Sequence, residues 1–129
     1  MNAPFEYEPD EHPKRKHRWG RDEAGFAMVR GRKVGKCPRG FSLETAQSLV
    51  NSGMPWSPQS WRHQHPKRIY VVHDGVVYRA VETVPGRSYH GFPEAPEGFP
   101  RGARMLKEQL LRRAVEQGQE HDVKRWMNW

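Results

Sequence analysis

The dipeptide Asp74-Gly75 constrains this chain more than any other feature. It joins residues 69–72 (IYVV) to residues 76–78 (VVY), two runs rich in β-branched and aromatic side chains. Such side chains suit a pleated, half-buried surface. Asp-Gly accepts the positive φ values of a type I′ turn, so a β-hairpin with a two-residue loop is predicted. That loop sets the register: His73 opposite Val76, Val71 opposite Tyr78, Ile69 opposite Ala80. Alternation then assigns Ile69, Val71, His73, Val76, Tyr78, Ala80 and Glu82 to one face. Tyr70, Val72, Val77, Arg79 and Val81 take the other. Both faces are largely apolar, and a lone hairpin is marginal in water, so both need cover.

Helices on either side of the hairpin can supply it. Ser42 is a good N-cap, Glu44 sits in the first turn, and Leu43, Ala46, Leu49 and Val50 have helical spacing. Gly53 is a natural stop, which predicts a helix over residues 43–52. Near the carboxyl end, Ala103, Leu106, Leu110 and Ala114 share a face, and Gly118 should end that helix. A last helix starts near Glu120 and aligns Val123, Trp126 and Met127. Its early acids, Glu120 and Asp122, and later cations, Lys124 and Arg125, match the helix dipole. A weaker hairpin is predicted within residues 25–34, turning at Gly31. Residues 54–66, with three prolines and two tryptophans, read as an irregular loop pinned by Trp56 and Trp61. The expected fold is α+β. A small antiparallel sheet of three to five strands is built around the 69–82 hairpin, with one helix before it and one or two after it.

Composition limits what surrounds that core. The chain has 129 residues, only 35% of them hydrophobic, and a mean hydropathy of −1.00, so the core must be small. One domain is expected over residues 24–129, preceded by a flexible arm over residues 1–23. The arm is first acidic and proline-punctuated, then turns basic at Lys14, Arg15, Lys16 and Arg18 beside Trp19. A single cysteine, Cys37, excludes an internal disulfide. No apolar run is long enough for a membrane span, and the first residues lack the apolar core of a signal peptide, so a cytoplasmic protein is expected.

Charge directs the functional reading. Twenty-two Lys+Arg against 15 Asp+Glu leave +7, which favours polyanionic partners. Lys14, Arg15, Lys16, Arg18 and Trp19 could grip phosphates while the indole stacks on a base. Arg30, Arg32, Lys33 and Lys36 around the first hairpin, and Arg87 after the second, extend that set. There is no P-loop, GxGxxG, GxSxG or HExxH, no zinc-finger spacing and no RNP motif, so no cofactor is expected. His63 and His65 hint at a metal, but no further ligand follows at a recognisable spacing, and none is assigned.

The densest chemistry lies in residues 87–94 (RSYHGFPE), expected as a loop braced by Tyr89, Phe92 and Pro93. Metal-independent phosphodiester cleavage needs a base, an acid and a cation. His90, Arg87, and Glu94 or Glu82 could supply them, with Tyr89 as orienter, all lining one surface cleft. The leading expectation is a nucleic-acid-binding protein that works through phosphate contacts. A ribonuclease-like enzyme of bacterial toxin type and an interaction module for an acidic protein are the alternatives.

Overall fold

The computed structural model describes residues 6–7, 20–39 and 41–129. The chain reverses at Asp74-Gly75 with φ of +50° and +76°, as a type I′ turn requires. Strands β5 (Arg68–His73) and β6 (Val76–Val84) flank that turn. His73 pairs with Val76, Val71 with Tyr78 and Ile69 with Ala80, in the expected register.

The sheet grows outward from this pair in the order β1-β7-β6-β5-β4. β7 (Ser88–Pro93) runs antiparallel to β6, and β4 (Met54–Trp56) antiparallel to β5. β1 (Glu6–Tyr7), within the stretch expected as an arm, pairs parallel to β7 through Ser88 and Tyr89. The basic run at residues 14–18 and Trp19 lie outside the described residues.

Two segments expected as loops are strands. Residues 88–93 pair along β6 because a tight turn, with Arg87 N–H donating to the Val84 carbonyl at 2.9 Å, returns the chain directly. Pro93 ends the strand, where a missing N–H is tolerated. Pro55 sits in β4, an edge strand, for the same reason.

Helices cover both faces. α1 (Leu43–Ser52) is capped by Ser42 Oγ, which accepts from Thr45 N–H at 3.0 Å. Its Val50 joins Ile69, Ala80 and Tyr89 in one buried cluster. α2 (Arg104–Glu116) and α3 (Glu120–Met127) cover the opposite face. There Leu106, Leu110, Ala114, Val123 and Met127 enclose Tyr70, Val72 and Val77. The result is the expected α+β architecture. No helix among the described residues is long and apolar enough to cross a membrane.

β2 (Gly25–Val29) and β3 (Arg32–Lys36) form a separate two-stranded ribbon turning at Arg30-Gly31. Its base is clamped. Phe26 stacks on Trp126 with ring centroids 5.3 Å apart. At Gly35 a Cβ would stand 2.6 Å from the Pro93 carbonyl, so only glycine permits this approach.

Candidate functional site

Strand alternation separates the five residues expected to share one cleft. Glu82 and Tyr89 are register partners on the α1 face of the sheet. His90 is opposite Val81 and lies on the other face. It is 6% exposed, and its Nδ1 is 2.7 Å from Thr83 Oγ1. Arg87 lies in the exposed turn before β7. The expected single cleft is therefore not formed: consecutive residues of a paired strand point apart, whereas a loop would have let them converge.

Glu94 belongs to the core, at 1% exposure. Its carboxylate accepts from Arg79 Nε (2.9 Å) and Nη2 (2.7 Å), from the Tyr70 hydroxyl (2.8 Å) and from Ala95 N–H (3.0 Å). Those four bonds use the acceptor positions a carboxylate offers. Burial pushes the Tyr70 hydroxyl well above the ordinary tyrosine range, and Glu94 adds to the shift. Burial alone would lower Arg79, but the bond to Glu94 more than offsets it. Glu94 is thus an internal tie and is not presented to a ligand.

Glu82 has a different partner. Its Oε2 is 2.8 Å from Nε2 of His65; both atoms are shut off from solvent, and their approach lacks the geometry of a hydrogen bond. The His65 backbone carbonyl accepts from Trp61 Nε1 at 2.7 Å, and its ring stacks against His63 with centroids 5.3 Å apart. The Tyr89 hydroxyl donates to the Pro66 carbonyl beside this pair. Burial, with Glu82 nearby, pushes Tyr89 up to about 12. The two histidines open onto a cleft of about 610 Å³, lined also by Asn51, Trp56, Trp61 and Gln64. Small-molecule sites occupy a similar range, roughly 300–1,000 Å³. Among the described residues, no three His, Cys, Asp or Glu side chains converge as a metal site.

The basic ribbon is the second candidate. Its tip projects with Met28 68% and Val29 45% exposed, next to the exposed Arg30 and Arg32. Neither arginine has an ion-pair partner among the described residues. Lys33 is held by Glu97 at 3.0 Å and lies over the Phe26 ring. Lys36, at the base, is half-buried.

No family model, curated protein or solved structure matches this chain.

The residue that sequence reasoning left out of the site is His65. Its contact with Glu82 spans two segments, so no local spacing encodes it. One signal did exist: Glu82 fell on a face it shares with the apolar Ile69, Val71, Val76, Tyr78 and Ala80 and with His73 at the far end, and an acid among such neighbours needs a partner.

Proposed function

We propose that this protein binds nucleic acid, RNA or DNA, chiefly through backbone phosphates, with the β2–β3 ribbon as the leading contact. The observation that carries this reading is the ribbon's tip. Arg30 and Arg32 stand exposed there beside the apolar Met28 and Val29, on a support clamped at Phe26 and Gly35. An anchored support costs little ordering entropy on binding. Arginine offers a planar fork that fits phosphate oxygens. The net charge of +7 favours the same class of partner and speeds encounter with it. The basic run at Lys14, Arg15, Lys16 and Arg18 with Trp19 would add contacts from the amino-terminal side.

The test is a salt series by fluorescence anisotropy with labelled single-stranded RNA, single-stranded DNA and duplex. Log affinity should fall linearly with log salt. Replacing Arg30 and Arg32 by alanine should reduce the slope by about 1.4–1.8, the value for two phosphates. No binding of any of the three at about 50 mM salt would overturn the reading. A saturable complex with an acidic protein, with only weak nucleic-acid affinity, would replace it.

A further inference from the structure

The geometry points to the cleft beside residues 57–67 as a site for an unpaired base of a single-stranded nucleic acid, which extends an aromatic stack begun by His65 and His63. This rests on the nucleic-acid reading above and names which form of the polymer is held. The observation that carries it is a stack with an open end. His63 lies on His65 with ring centroids 5.3 Å apart and 24° between the planes. Trp61 stands to the side of both, 4.7 Å from His63 and 5.6 Å from His65, and steeply inclined to each ring. The face of His63 turned away from His65 therefore meets no other ring among the described residues, and His63 is exposed. Imidazole is one of the rings on which unstacked bases settle.

The surroundings fit such a ligand. The cleft of about 610 Å³ has Val50, Pro55 and Ile69 as apolar lining and also carries the amides of Asn51 and Gln64. An amide offers both a donor and an acceptor, which suits the edge of a base. Gln64 is exposed, and its amide makes no hydrogen bond among the described residues. Arg62 and Lys67 are exposed, and residues 57–67 contain no acid, so the phosphates of a strand meet cations here with no carboxylate of this segment against them. The segment is also fixed before binding. Lys67 N–H donates to Ser57 Oγ at 2.9 Å, Trp61 N–H to the Pro58 carbonyl at 2.9 Å, and Trp61 Nε1 to the His65 carbonyl at 2.7 Å. A support held in this way loses little freedom when a ligand arrives. A base inside a duplex has both faces covered by its neighbours, whereas a single strand can turn one out.

The experiment measures fluorescence anisotropy with labelled single-stranded RNA, single-stranded DNA, duplex DNA and a DNA strand of abasic sites, which keeps the phosphates and lacks the bases. The intact single strands should bind more tightly than the abasic strand by about 5–150-fold, the worth of one stacked base. His63→Ala should remove that advantage and leave duplex binding, abasic binding and melting temperature unchanged. His63→Phe, which keeps a ring and loses the titratable nitrogens, should retain it. Equal affinity for intact and abasic strands, or an undiminished advantage in His63→Ala, would overturn this inference and leave the nucleic-acid reading standing. A nucleoside monophosphate that competes at the strand's own affinity would overturn the strand as occupant. Absence of binding to every probe would overturn both.

Discussion

Arg79 and Glu94 form a two-point ion pair, 2.9 and 2.7 Å, and Trp126 Nε1 donates to the backbone carbonyl of the same Glu94 at 2.8 Å. The pair ties β6 to the end of β7, and Trp126 adds α3 to the same residue. A buried charge left without its partner is costly. Arg79→Met is therefore expected to destabilise the protein by about 3–5 kcal/mol in urea denaturation. Adding Glu94→Leu should recover part of that loss, because it removes the stranded carboxylate. Equal stability of Arg79→Met and the native chain would show that the pair contributes nothing.

The turn of the central hairpin is packed as well as twisted. A Cβ at Gly75 would stand 2.6 Å from Cβ of Asp122 in α3, and φ there is +76°. Gly75→Ala meets both obstacles and is expected to cost more than about 1 kcal/mol. A thermal melt of the single variant decides the point, and an unchanged midpoint would contradict the contact.

The ribbon's clamp makes a separate forecast. Gly35→Ala would push a methyl into the Pro93 carbonyl and lift the ribbon's base from β7. Amide exchange in residues 25–36 should accelerate while exchange in β5 and β6 stays slow. If exchange in the ribbon does not change, the base is not held by this approach.

Alkaline stability should report Tyr89. Its hydroxyl is pushed from 10.0 up to about 12 by burial and by Glu82. A group raised in the folded state stabilises fully below its unfolded value, and that stability is lost as pH rises through the folded value. Stability should thus decline between about pH 10 and 12, and Tyr89→Phe should decline less steeply over that window. Tyr70, raised further, adds its loss at higher pH. Denaturant midpoints across this range, with absorbance of tyrosinate as a monitor, make the comparison.

The hairpin register and the three helices were legible because local chemistry decides them: Asp74-Gly75 for the turn, Ser42 for a cap, and apolar spacing for Leu106, Leu110 and Ala114. β7 was not, since Gly86, Gly91 and Pro93 carry loop punctuation while the pairing energy comes from β6. The ends of Glu94 and Glu82 were hidden for a related reason. Their partners, Arg79 and His65, lie 15 and 17 residues earlier in sequence. Yet alternation had put Arg79 between Val77 and Val81 on an apolar face, and Glu82 on the other. A charge in such a row announces a buried partner without naming it.

The way the sheet stops on each side bears on how copies of the protein treat one another. One margin is β4, three residues with Pro55 at their centre; the other is β1, a two-residue parallel pairing. A proline has no amide to donate, and two residues make a poor template. Fibre growth by strand addition needs a long, regular row of free backbone groups, and among the described residues neither margin supplies one. A concentrated solution of the folded chain should therefore resist growth of cross-β fibres from this sheet, even though its inner strands read as strongly β-forming.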